Sequence, residues 1–201
     1  MAGKNLKIAL AQLNFTVGDI AGNIRKICTN YIRAVEERSD LIIFSELAIS
    51  GYPTEDLLLS TYFKKELHNA ICELAKHTIN RNTAIIIGSI IEKGGELYNG
   101  AFLLKDGEIA EISIKHSLPN YGVFDECRIF SPGSSFGTIE FLGNKLGIII
   151  CEDIWSEAKI EDLISKQAEL IICINASPFE KNKYKIQLTL NAIFPYNRSI
   201  F

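Results

Sequence analysis

Short apolar runs alternate with amphipathic segments along most of the chain. The clearest runs are rich in isoleucine and lie at 41–44, 84–91, 146–150 and 169–175. An uninterrupted apolar run of this length is typical of a strand that is buried on both faces. Such strands need a helix layer or a second sheet against each face, so the pattern predicts an α/β fold.

The segments between these runs carry apolar residues at helical spacing. The first predicted helix covers about 24–35, and Asn23 is predicted to cap its start. A second helix is predicted at about 62–80 and a shorter one at about 151–166. Residues 183–193 also have a helical pattern.

Hairpin signals indicate that the predicted sheet is mixed. Asp106-Gly107 separates apolar runs at 97–104 and 109–114, and this dipeptide favours a tight turn between paired strands. A further strand is predicted at 6–13. The sequence contains no internal repeat and no linker-like tract, so we interpret 1–201 as one domain.

Three ionisable residues follow predicted strands directly: Glu46, Lys115 and Cys151. Sites in α/β layers are built at the carboxyl ends of strands, so these side chains are expected to converge if their strands are neighbours. Cys151 also precedes a predicted helix, whose dipole favours the thiolate form. Glu152 and Asp153 oppose that effect, so a nearby cation is needed.

Together these residue types suit acyl transfer. A carboxylate at Glu46 can take the proton of a thiol and later activate water. Lys115 can stabilise a thiolate and an oxyanion, and the backbone N–H of Glu152 can be a second oxyanion donor. The spacing leaves simpler interpretations open: Cys151 as a buried structural cysteine, Lys115 as a solvated lysine, and Glu46 as a capping carboxylate.

Composition argues against several classes of protein. The chain has 201 residues, of which 47% are hydrophobic and 22% charged, and its formal net charge of −3 favours neither a nucleic-acid nor an anionic-membrane partner. Its longest apolar runs, about eight residues, are too short to span a membrane. The start lacks a signal-peptide pattern, and the five cysteines are scattered and odd in number. We therefore expect a cytoplasmic, reduced protein without a metal site.

Three segments resemble the motifs of the nitrilase (carbon–nitrogen hydrolase) superfamily. They are 45–58 around Glu46, 115–126 from Lys115, and 150–155 around Cys151. Within that superfamily the strings GYPTEDLL, LPNYGVFDE and CEDIW are similar to the glutaminase domains of glutamine-dependent NAD+ synthetases. The similarity extends from residue 6 to about 190.

The resemblance implies a four-layer α-β-β-α sandwich and a set of residue roles. Glu46 is implied as the general base, Lys115 as the oxyanion-stabilising lysine and Cys151 as the nucleophile that forms a γ-glutamyl thioester. No cofactor is implied for this step. The residues expected to bind or support the substrate are Tyr121, Phe124, Glu126, Glu152, Ser177 and Lys183.

The chain also departs from the family pattern. Asn182 and Gln187 stand where relatives commonly have glycine and arginine, and Lys183 is expected to substitute in part. We expect a truncated domain without its last strands and without the ATP- and Mg²⁺-using synthetase domain. The expected partners are a synthetase domain or subunit and further copies of the chain in a homo-oligomer. Two alternatives stay open: a stand-alone amidase acting on another small amide, and a non-catalytic remnant.

Overall fold

The computed structural model describes residues 5–134 and 137–177. Eight strands and three α-helices are present in these ranges. The strands are β1 Ile8–Leu10, β2 Leu41–Ile43, β3 Ala84–Lys93, β4 Glu96–Lys105, β5 Glu108–Ile114, β6 Thr138–Phe141, β7 Asn144–Ile150 and β8 Leu170–Ile174. The α-helices are α1 Ile20–Glu36, α2 Thr61–Lys76 and α3 Glu157–Ser165, and short 3₁₀ helices cover Glu55–Leu59, Glu126–Arg128 and Cys151–Trp155.

The strands form two sheets. The first has the order β1-β2-β3-β4-β5, with β1, β2 and β3 parallel and with β4 and β5 antiparallel to their neighbours. The second has the order β6-β7-β8, in which β6 is antiparallel and β8 parallel to β7. Both sheets are therefore mixed, as the hairpin signals predict.

Alternation along the strands separates two faces of the first sheet. Ile42 and Ile85 belong to the core that packs against α1 and α2, whereas Leu41 and Ile86 belong to the core between the sheets. Because side chains of consecutive strand residues point to opposite faces, an all-apolar strand fills two cores at once.

The second sheet repeats this arrangement. Ile148 and Ile172 face the first sheet, while Ile149 and Ile171 pack with residues of α3 such as Leu163. The layer order is therefore helices, first sheet, second sheet and helix. The predicted four-layer α-β-β-α sandwich is confirmed.

Two local predictions were wrong. Asn23 does not cap α1: Asp19 does so by accepting a hydrogen bond from Gly22 N at 2.8 Å, while Asn23 lies inside the helix and is fully buried. Its side-chain amide instead binds the backbone of Thr16 and Ile49. The predicted helix at 151–166 is a 3₁₀ turn followed by α3.

Several predictions concern residues outside the described ranges. They are the helix at 183–193, the expected lack of the last strands, and the roles of Lys183, Asn182 and Gln187. Within the described ranges, no helix combines the length and the apolar character that crossing a membrane requires.

Candidate active site

Glu46 lies three residues beyond the end of β2, and its side chain is buried. The neighbouring strand approaches it so closely that only glycine fits at position 88. A Cβ atom there would lie 2.3 Å from Leu47 N and 2.6 Å from the Cα of Glu46. Gly88 thus allows β3 to lie directly against the backbone that carries the Glu46 carboxylate.

Lys115 follows β5 and is fully buried. Its Nζ lies 2.7 Å from Glu46 Oε1 and 2.8 Å from Glu126 Oε1, so one ammonium group bridges two carboxylates. Burial by itself would lower the pKa of Lys115, but Glu46 and Glu126 together hold it above its ordinary value. The interpretation of Lys115 as a solvated strand-end lysine is therefore wrong.

Two further donors fix the Glu46 carboxylate. Asn99, which is fully buried in β4, donates from Nδ2 to Glu46 Oε1 at 2.8 Å. The backbone N–H of Ala176, beyond β8, donates to Oε2 at 3.0 Å. Elements of both sheets therefore hold the one carboxylate.

Glu126 forms the opposite side of the lysine. Its Oε1 also accepts a hydrogen bond from Tyr52 OH at 2.9 Å, and its Oε2 is buried without a partner among the described residues. Burial raises the pKa of Glu126 above its ordinary value, although Lys115 opposes the shift. Burial and the Glu126 carboxylate also raise the pKa of Tyr52. The phenol therefore stays protonated and remains a donor.

Cys151 follows β7 directly in a left-handed backbone conformation, with φ of 45°, and the residue is 4% exposed. Its Sγ lies 3.2 Å from Ser177 Oγ. Burial and the Glu46 carboxylate raise the pKa of the thiol to about 12, while Lys115 and Ser177 act in the opposite direction. A five-residue 3₁₀ turn rather than an α-helix follows Cys151, so the expected dipole contribution is lost, and the nearby cation, Lys115, does not offset the effect of burial.

Four of the predicted binding residues contact one another or the chain segment that carries this thiol. Tyr121 OH donates to the Glu152 carboxylate at 3.0 Å, and its ring packs edge-on against Phe124 with centroids 5.5 Å apart. Ser177 contacts Cys151 directly. A cavity of about 360 Å³ is lined by 117–121, Glu152, Trp155 and Ser156, so Tyr121 and Glu152 are the predicted binding residues that border it. Lys183 lies outside the described residues.

Comparison with known proteins decides the family. The carbon–nitrogen hydrolase model matches residues 7–192. The chain belongs to the carbon–nitrogen hydrolase family. Among relatives, the glutamine-dependent NAD(+) synthetase of Aquifex aeolicus is 44% identical over 183 residues, which cover 90% of this chain and 32% of the relative. That of Acinetobacter baylyi is 40% identical over 90% of this chain and 33% of its own length.

Solved structures agree with the carbon–nitrogen hydrolase assignment. The glutamine-dependent NAD+ synthetase of Acinetobacter baumannii in complex with ADP superimposes with a TM-score of 0.88 at 36% identity, covering 94% of this chain and 36% of that one. An amidase from Nesterenkonia sp. AN1 shares the fold, with a TM-score of 0.80 at 21% identity over 90% of this chain and 70% of that one. The chain thus spans about a third of the length of its synthetase relatives.

Sequence reasoning missed three residues of this carbon–nitrogen hydrolase site: Tyr52, Asn99 and Asp153. Asn99 was detectable in principle, because a polar residue within the otherwise apolar run of β4 requires a buried partner. Asp153 was predicted only as an acid opening a helix, yet it is fully buried. In the described part of the chain, no cluster of three or more His, Cys, Asp or Glu side chains is arranged to hold a metal ion.

Proposed function

We propose that this domain hydrolyses the side-chain amide of glutamine through a thioester on Cys151. The observation that carries the proposal is the buried Lys115 ammonium group, which lies between the Glu46 and Glu126 carboxylates beside a buried thiol. Glutamine is favoured because the relatives that match 90% of the chain are named glutamine-dependent NAD(+) synthetases.

The first step needs a base at the moment of attack. With its pKa raised to about 12, Cys151 holds its proton at neutral pH, so the thiol is activated by Glu46 rather than stored as a thiolate. Glu46 takes the proton as Sγ bonds to the amide carbon, and the carbonyl π electrons move to oxygen. Because Lys115 keeps its charge, it remains a donor throughout.

The tetrahedral oxyanion is proposed to lie against Lys115 Nζ and the backbone N–H of Glu152. Collapse breaks the carbon–nitrogen bond, and the nitrogen takes the proton from Glu46 and leaves as ammonia. Water then attacks the thioester as Glu46 accepts its proton. The carbon–sulfur bond breaks, Cys151 recovers its proton, and glutamate is released. The net change is glutamine plus water to glutamate plus ammonia.

The side chains at the mouth of the site are proposed to recognise the amino-acid end of glutamine. Glu152 offers a carboxylate to an ammonium group, while Tyr121, Phe124 and Ser177 shape the pocket. Glu126 is proposed to support Lys115 and to face the reacting amide through Oε2, the oxygen that has no partner among the described residues. Lys183 stays a prediction as an anchor for the substrate carboxylate.

We further propose that the ammonia serves an ATP-dependent amidation of nicotinic acid adenine dinucleotide to NAD+. That reaction would belong to a synthetase domain or subunit, which would also use the ATP and Mg²⁺. Two facts support this proposal: the relatives are named glutamine-dependent NAD(+) synthetases, and this chain spans only about a third of their length. A homo-oligomer and a cytoplasmic location stay predictions.

Covalent labelling tests the proposal. After treatment with 6-diazo-5-oxo-norleucine, intact mass and peptide mapping are expected to show one adduct on Cys151 that excess glutamine prevents. Cys151→Ala and Glu46→Gln are expected to lose the adduct. Cys127→Ser, which alters an exposed thiol in the 3₁₀ helix Glu126–Arg128, is expected to keep the adduct. A folded wild-type chain that is not labelled, and that releases no ammonia from glutamine, would refute the proposal.

A second candidate is hydrolysis of another small amide. It is favoured by the fold shared with the Nesterenkonia amidase, of which this chain covers 70%. The proposed chemistry of Glu46, Lys115 and Cys151 acts on any primary amide, so only the pocket selects the substrate. Ammonia release from glutamine, asparagine and acetamide, compared as kcat/KM, separates the two candidates. A preference for acetamide would favour the second.

A further inference from the structure

Asp153 joins the two chain segments that carry Cys151 and Lys115. It lies two residues after Cys151 and is fully buried. Its Oδ1 accepts hydrogen bonds from the backbone N–H of His116 at 3.2 Å and of Ser117 at 2.7 Å. These are the two residues that follow Lys115. One carboxylate therefore connects the end of β7 in the second sheet with the end of β5 in the first.

The same carboxylate holds the turn at Cys151. Asp153 Oδ2 accepts from the backbone N–H of Ile150 at 3.3 Å, immediately before the cysteine. A left-handed conformation at a residue other than glycine is costly and persists only when its surroundings fix it. The hydrogen bond to Ile150 is one of those constraints, because it joins the residue before Cys151 to the side chain of Asp153, two residues after it.

An ammonium group from α3 balances the charge. Lys159 Nζ lies 2.8 Å from Asp153 Oδ1 and also donates to the Ser117 hydroxyl group. A buried carboxylate is tolerated when backbone donors and a cation satisfy it together, and such charge-assisted bonds are stronger than neutral ones. The arrangement is thus a stable, directional link rather than an isolated charge.

The packing between the sheets needs such a link. The core between them consists of apolar side chains such as Ile86, Leu103 and Ile148. Apolar contact is non-directional, whereas hydrogen bonds depend on distance and angle. Two further directional ties run from Ser113 Oγ to the Ile148 carbonyl at 2.7 Å and from the Ala176 N–H to Glu46 Oε2 at 3.0 Å. Neither of them binds the backbone directly beside both Cys151 and Lys115, as Asp153 does.

We propose that Asp153 is a positioning residue that sets the placement of the Cys151 thiol relative to the Lys115 ammonium group. It acts through the backbone on both sides and does not itself touch the reacting amide. The inference rests on the proposed function, because it assigns Cys151 and Lys115 their chemical roles.

The test compares Asp153→Asn with the wild-type chain. A displacement of about 1 Å in a catalytic group can cost about a hundredfold in rate. We therefore expect kcat for glutamine hydrolysis to fall about a hundredfold, with KM changed much less. Asp162→Asn is the control, since Asp162 is a partly exposed acid on α3 that pairs with Lys166. It is expected to retain wild-type kcat.

A second readout does not need glutamine. Alkylation of Cys151 by iodoacetamide, followed by peptide mapping, is expected to be about tenfold slower in Asp153→Asn, because the thiolate loses its alignment with Lys115. Loss of a nearby negative charge, or general loosening of the site, would instead make alkylation faster. The direction of the change therefore separates positioning from a merely structural role.

Lys159→Met provides a second variant if Asp153→Asn fails to fold. It removes the ammonium group but leaves the backbone donors in place, and we expect about a tenfold loss of kcat and slower alkylation. Wild-type kcat and alkylation in the folded variants, or faster alkylation, would overturn the inference. If the wild-type chain does not hydrolyse glutamine, the proposed function fails, and alkylation still decides the role of Asp153.

Discussion

Replacing Lys115 with methionine removes the cation between two buried carboxylates while nearly preserving side-chain length. In the native site, Nζ lies 2.7 Å from Glu46 Oε1 and 2.8 Å from Glu126 Oε1, and all three side chains are at most 4% exposed. Without the ammonium group, both carboxylates lose a charged donor and face each other in a region shielded from water. Removing one partner of a buried ion pair costs roughly 3–5 kcal/mol, and we expect a loss of stability of that size.

The loss should depend on pH. Burial already raises the folded-state pKa of Glu126, and Lys115 opposes that shift. Removing Lys115 therefore raises the pKa of Glu126 further. An acid whose pKa is raised in the folded state destabilises the protein increasingly as pH rises above its unfolded-state pKa, and in full above its folded-state pKa. The penalty therefore shrinks as pH falls towards the unfolded-state pKa. The deficit of Lys115→Met is thus expected to be largest near pH 8 and smaller near pH 5.

Urea unfolding at the two pH values measures the effect. Lys76→Met, which removes an exposed lysine paired with Glu73 on α2, is the matched control and is expected to unfold like the wild type. Adding Glu126→Gln to Lys115→Met should recover part of the lost free energy, because one carboxylate then remains. A deficit below about 1 kcal/mol at pH 8, or one that does not shrink on acidification, would contradict the proposed charge balance.

Three further variants or conditions probe the site. The rate of Cys151 alkylation in the wild type should keep rising between pH 7 and pH 10, because the pKa of the thiol is raised to about 12; a plateau near pH 8.5 would contradict this. Asn99→Leu removes the hydrogen bond to Glu46 and should lower kcat about 10- to 100-fold, since bonds to charged groups contribute about 1.5–3 kcal/mol. Gly88→Ala would push β3 away from the backbone of Glu46 and Leu47, so it should abolish ammonia release and lower the melting temperature. A wild-type melting curve would show instead that the sheet accommodates the methyl group.

The architecture could be predicted from the sequence because the buried strands are uninterrupted apolar runs and the helices carry apolar residues at helical spacing. Runs such as 84–87 and 148–150 are apolar at every position, and only burial on both faces explains such a run. The positions of Glu46, Lys115 and Cys151 at strand ends followed from the same pattern.

The details of the site were not accessible in this way. Asp153 binds residues that lie 36 and 37 positions away, and no periodicity encodes that pairing. The protonation state of Cys151 was left open, because the sequence indicates a following helix and the need for a cation but not how completely the thiol is buried. Asn23 was assigned to a cap because asparagine favours helix starts, whereas its buried amide instead fixes the loop at Thr16 and Ile49.

Protection from oxidation follows from the buried thiol of Cys151. Peroxide reacts with cysteine thiolates, so a thiol that keeps its proton and is 4% exposed resists conversion to sulfenic acid. Cys127, in the short 3₁₀ helix at Glu126–Arg128, is exposed and is therefore more accessible to an oxidant. In the proposed mechanism the thiol becomes vulnerable only while Glu46 removes its proton, when substrate would occupy the space that an oxidant needs.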